Sequence, residues 1–123
     1  MKNFKIGKEL TNILLADEEV RRSLDNKVFP LVANAGTSFP FLVYRRSGYR
    51  TDGNKDYGNE IVSVEIAVLS PKYEESVNVA DIVADALNGK NTEIIDDIKI
   101  VNIYEDFAED TYIQKMSIDI YIK

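Results

Sequence analysis

Between residues 60 and 89 the hydrophobic pattern changes period, and that change limits what the chain can fold into. Val62, Val64, Ile66 and Val68 place branched apolar side chains at alternate positions, with Ser63, Glu65 and Ala67 between them. This is the period of a strand with one buried face. Ser70-Pro71 then closes the strand and opens a helix, with serine as the N-cap and proline at the first helical position. Glu74 and Glu75 fall in the opening turn, where the helix dipole favours negative charge. The helix is expected to run to Asn88 and stop at Gly89, which takes the left-handed conformation most easily.

Projected at about 100° per residue, Glu74, Asn78, Asp81, Asp85 and Asn88 form one narrow polar stripe. Val77, Val79, Ala80, Ile82, Val83, Ala84, Ala86 and Leu87 fill the remaining arc. That arc is wider than a helix needs to lie on one sheet face. Either a second helix covers one flank, or Val79, Ile82 and Ala86 meet another subunit.

The N-terminal segment supplies a candidate cover. Ile6, Leu10, Ile13 and Leu14 recur at helical spacing, with Gly7 weakening the start, and Asp17 can cap a second short turn over residues 18–24. The prediction is one N-terminal helix or a broken pair. Val28-Phe29-Pro30 reads as a short extended piece and residues 39–46 as a strand, with Pro40 at its start or on an edge. Residues 47–59 hold three glycines and little apolar content, and are expected to form an elongated hairpin loop. After the central helix come a connector (90–97), a strand (98–104), an acidic turn (105–110) and a last strand (113–122). In that strand Met116, Ile118, Ile120 and Ile122 alternate with Lys115, Ser117, Asp119 and Tyr121. The expected fold is one α+β domain: a mostly antiparallel sheet of about four strands with two helices packed on one face.

Composition narrows the chemistry. The chain has 123 residues, one domain by size, and 45% of them are hydrophobic, enough for a core without metal or disulfide. Cysteine is absent, which excludes disulfides and thiolate zinc sites. Histidine is absent too, removing the usual near-neutral base and the commonest metal ligand. A net charge of −6 argues against nonspecific nucleic-acid binding over the whole surface. No apolar run approaches a membrane span and no signal-like segment follows the N-terminus, so a soluble, unexported domain is expected.

Three clusters are candidate sites. Asp52-x-Asn54-x-Asp56 matches the first positions of a calcium loop, but the glycine comes one place late at Gly58 and Ser63 stands where the terminal glutamate belongs. A polar hairpin tip explains it better. Glu105, Asp106, Glu109 and Asp110 gather around a turn, where paired carboxylates can do acid–base work or hold a hard cation, and where charge also collects for solvation alone. Arg45, Arg46, Tyr49, Arg50, Lys55 and Tyr57 form a basic, aromatic-bearing loop and its root. Tyr and Arg are enriched at protein interfaces, and the same residues can contact phosphate and stack bases, or simply solvate a tip. Protein contact fits an acidic chain better than nucleic acid. Nothing resembles a phosphate loop, a nucleophile elbow or a metalloprotease helix, so no enzyme activity and no cofactor are expected.

Taken in order, several stretches resemble the small tail-completion, or head–tail joining, proteins of long-tailed bacteriophages and prophages. They are Leu14-Leu15-Ala16-Asp17 with Val20, Val28-Phe29-Pro30, and Phe39-Pro40-Phe41-Leu42-Val43-Tyr44. Val64-Glu65-Ile66-Ala67-Val68, Tyr73-Glu74-Glu75, Ala80-Asp81, Ala86-Leu87-Asn88-Gly89 and the closing Asp119-Ile120-Tyr121 continue the likeness. The asparagine-rich connector at 90–97, with Ile94-Ile95, has no clear counterpart. The resemblance implies a non-enzymatic component of the virion tail, held in the host cytoplasm before assembly. It implies a ring, typically a hexamer, at the end of the tail tube, contacting tail-tube and head connector proteins, with DNA only passing through its lumen and no membrane involved. The competing expectation is a small ferredoxin-like module that binds a ligand or protein as a dimer; an enzyme ranks third.

Overall fold

The computed structural model describes residues 2–51 and 60–123. Its centre is the predicted strand–helix unit. The strand spans Glu60–Ser70 and turns Val62, Val64, Ile66 and Val68 into the core, each at most 1% exposed. With four others it forms a sheet of five strands: β1 (Val28–Pro30), β2 (Phe41–Thr51), β3 (Glu60–Ser70), β4 (Ile95–Ala108) and β5 (Thr111–Ile122). Their spatial order is β1-β2-β3-β5-β4. All pairs are antiparallel except β1 with β2, where Val28, Phe29 and Pro30 lie parallel to Leu42, Val43 and Tyr44. The sheet therefore has five strands rather than four, because the short extended piece joins it as an edge.

Three α-helices, α1 (Ile6–Ala16), α2 (Glu18–Leu24) and α3 (Tyr73–Leu87), cover the sheet face that carries Leu42, Val64 and Ile118. A 3₁₀ turn, Lys2–Lys5, precedes α1. The N-terminal helix is the broken pair. Asp17 is extended (φ −86°, ψ 123°), and its Oδ1 accepts the Val20 N–H at 3.1 Å, so one residue ends α1 and caps α2. Leu10, Leu14, Val20 and Leu24 are fully buried beneath the pair, each contributing about 1.5–3 kcal/mol by burial. Both helices touch α3, and this contact covers its spare flank. Val79 and Ala86 are accordingly buried in the chain's own core, and Ile82 is partly buried against it. Of the two alternatives, a second helix covering that flank is the one these contacts describe.

Four boundaries differ from the sequence expectation. The helix begins two residues after Pro71, with Lys72 as its N-cap, while Ser70 belongs to β3. Ser70 still organises the corner: its Oγ accepts the Lys72 N–H at 3.0 Å and donates to Glu75 Oε1 at 2.6 Å. Residues 47–51 are not loop but the end of β2, continued past a register shift between Arg46 and Gly48. The acidic turn shrinks to Glu109 and Asp110, both with positive φ (52° and 57°), and Glu105 and Asp106 lie within β4. Strand β4 also begins earlier than expected, because Ile95 is fully buried and pairs with Ile122. Helix α3 ends as predicted, with Asn88 as C-cap and Gly89 at φ +75°.

Candidate assembly surfaces

Strand β2 carries the described basic residues, Arg45, Arg46 and Arg50, and each has a partner within the chain. Across the antiparallel pair Arg45 faces Glu65, and their side chains form an ion pair at 3.2 Å. Arg46 points to the helix side, where its Nη1 donates to the Phe4 carbonyl at 3.2 Å and its guanidinium lies 4.8 Å from the Phe4 ring centre. Tyr49 donates its hydroxyl to Glu60 at 2.7 Å, and that bond raises its phenol pKa. Asn3 donates to the same carboxylate at 2.7 Å. Arg50 reaches two strands across the uncovered face, donating to Ser63 at 3.3 Å and to Asp119 Oδ2 at 2.8 Å. Ser63 donates to Asp119 Oδ1 at 2.9 Å, so one buried carboxylate is held by two strands. Lys55 and Tyr57 lie outside the described residues, as does the Asp52/Asn54/Asp56 pattern. The described part of the basic cluster is thus a strand surface, with Arg45 and Arg50 in ion pairs and Arg46 held by Phe4, not a solvated loop.

The acidic cluster does not form a metal centre. Among the described residues no group of three or more carboxylates is gathered closely enough to hold an ion. Glu105 instead accepts hydrogen bonds from Tyr73 at 2.9 Å and Gln114 at 3.0 Å, the first of which raises the Tyr73 pKa. Asp106 accepts the Phe107 N–H at 2.8 Å and stands 4.0 Å from Lys115. Asp81 and Asp85 are exposed on α3, on the predicted polar stripe.

Two exposed apolar surfaces escaped the sequence reading. Every residue from 101 to 110 is exposed, although most belong to a strand, and Val101, Ile103, Tyr104 and Phe107 are among them. Helix α3 packs over β3 and β5 and leaves this end of β4 uncovered. At the opposite edge, a groove of about 600 Å³ opens between the 3₁₀ turn, the start of α1, the end of β1 and β2. Exposed Phe4 and Leu31 stand beside it. The β4 surface had a visible signal, since Val101, Ile103 and Tyr104 break the apolar–polar alternation that precedes them. The groove had none, because residues 4, 31 and 44 meet only in three dimensions.

The described surface of this small α+β domain is marked by exposed sheet edges and a groove, with Arg45 and Arg50 tied to carboxylates across the sheet. The family model for tail completion protein gp17 matches residues 8–117, and the chain belongs to this family of structural phage-tail proteins. No curated protein matches its sequence. Among solved structures, a chain from the virion of a native gene transfer agent particle shares the fold, with a TM-score of 0.80 at 13% sequence identity. That match covers 92% of this chain and 90% of the other. Among the described residues no helix is long and apolar enough to cross a membrane.

Proposed function

We propose that this protein is a non-enzymatic virion subunit that forms a ring, of six copies, at the end of the tail tube. The ring completes the tail and joins it to the head connector. The observation that carries this reading is the family match across residues 8–117. The surface is consistent with it: the sheet has unlike edges, and a subunit presenting a different patch on each side closes into a ring when the rotation between copies allows it. Its partners are copies of itself, the tail-tube protein and the connector. A net charge of −6 keeps the protein from gripping DNA that passes through. Before assembly the subunit waits in the host cytoplasm.

Light scattering on size-exclusion fractions over a range of concentrations, followed by negative-stain imaging, tests the reading. Annular particles with a central hole and a mass of six chains are expected. A concentration-independent dimer would instead favour a ligand- or protein-binding module.

A further inference from the structure

The two edges of the sheet carry complementary surfaces. On the β4 side the hairpin tip combines exposed apolar side chains, Ile103 at 72% and Phe107 at 53%, with four carboxylates. Glu105 and Asp106 have neighbours within the chain, while the carboxylates of Glu109 and Asp110 make no ion pair among the described residues. Being last in the strand order, β4 leaves the outer side of its backbone ladder open. A strand that is apolar, exposed and unpaired is a surface that waits for a partner.

On the other side the groove is apolar inside and basic at its rim. Phe4, Ile6, Leu31 and Tyr44 line it, and Lys5 and Lys8 stand over it, neither making an ion pair among the described residues. A positive φ of 66° at Leu31 places that exposed residue at the mouth. A volume of about 600 Å³ accommodates one or two large side chains.

We propose that the β4–β5 tip of one copy seats in this groove of the next. Phe107 enters between Leu31 and Phe4, and the carboxylates of Glu109 and Asp110 face Lys5 and Lys8. The occupant is a second copy of this chain, because an acidic apolar tip and a basic-rimmed apolar groove occupy opposite edges of one sheet. Charge of opposite sign steers the two together and fixes their register. Such a contact joins unlike patches, so it propagates in one sense around a ring and is not satisfied by a two-fold dimer. The contact rests on the ring reading above and says which surfaces make it.

Leu31→Asp and Phe107→Asp test it, each change falling on an exposed side chain. Circular dichroism of each variant is expected to match the wild type, and its thermal unfolding to fall short of the wild type's only by the stabilisation that ring association adds. By light scattering the wild type gives the ring and each variant alone gives monomer. A mixture of the two gives a one-to-one dimer and nothing larger, because only one intact tip and one intact groove remain. Variants that keep the wild-type ring mass would overturn the contact and leave the ring standing. A mixture that stays monomeric would overturn it too, assigning the two surfaces to other partners such as the tail tube. A wild type that is only monomer or two-fold dimer, in solution and in particles, would overturn the ring and the contact together. The absence of cysteine permits a second readout. A Leu31→Cys/Phe107→Cys double variant, oxidised in assembled particles, is expected to give a ladder of covalent multimers, whereas either single variant stops at dimer.

Discussion

Gly7 lies where α1 approaches β2, and a Cβ added there would stand 2.9 Å from the Tyr44 hydroxyl and 3.0 Å from its ring. The sequence marks this glycine only as a weak helix start. In fact α1 begins one residue before it, and glycine allows the Tyr44 ring to pass under the first turn. In an open helix, Gly→Ala stabilises by about 1 kcal/mol. Here Gly7→Ala is expected to destabilise by about 1 kcal/mol, because the ring must move. In a Tyr44→Ala background the same change is expected to become stabilising, and urea unfolding of the four chains in a double-mutant cycle reads the reversal. A second residue-scale effect belongs to Asp119. Burial pushes its carboxyl pKa up, but hydrogen bonds from Arg50 and Ser63 and the Arg50 charge outweigh burial and hold it below the ordinary value. A group depressed in the folded state adds stability that is present above the unfolded pKa, about 3.9, and is lost as pH falls through the folded value. Arg50 is about half exposed, so solvent screens the pair, and Asp119→Asn is expected to cost about 1 kcal/mol at pH 7. In urea melts that difference should shrink steadily as the solution is acidified below about pH 4.

At the scale of elements, the corner between β3 and α3 shows how a correct local signal led to a shifted boundary. Ser70 and Pro71 have the residue types of an N-cap and first helical residue, yet Ser70 is fully buried as the last residue of β3, paired with Tyr112. Its hydroxyl organises the turn from inside the sheet, holding the Lys72 N–H and the Glu75 carboxylate together. Ser70→Ala is therefore expected to cost about 1–2 kcal/mol, with the loss read as a lower urea midpoint at unchanged slope. Periodicity located β3, α3 and the core of β5 because each buries one face, and a buried face writes its period into the sequence. It missed the ends of β2 and β4 for the same reason. Tyr49 and Arg50 extend β2 past the expected end at residue 46 while remaining exposed, held by cross-strand hydrogen bonds to Glu60, Ser63 and Asp119 that composition does not reveal. Residues 105–108 extend β4 past the expected end at 104 and beyond the helix layer, so no core face imposes alternation there. Neighbours across the sheet were hidden as well: β5 inserts between β3 and β4, although β4 follows α3 directly in the chain.

For the whole molecule, the broad apolar arc of α3 posed a choice between fold and assembly that the sequence left open. The helices α1 and α2 resolve it by packing on that flank, so the arc holds the subunit together. The two exposed apolar surfaces described above lie at the sheet edges instead, where burial by the chain's own helices ends. This separation predicts two kinds of variant. Val79→Ala removes two methyl groups from a site only 5% exposed, and is expected to lower folding stability by about 1–3 kcal/mol. At temperatures where the variant remains folded, its oligomeric mass should equal the wild type's, because no atom of the assembly surface has changed. Thermal unfolding and light scattering on the same samples check both halves. A Val79→Ala chain with unaltered melting but lost assembly would return the α3 flank to the subunit interface. An early melt with intact assembly would keep folding and joining on different faces of the protein.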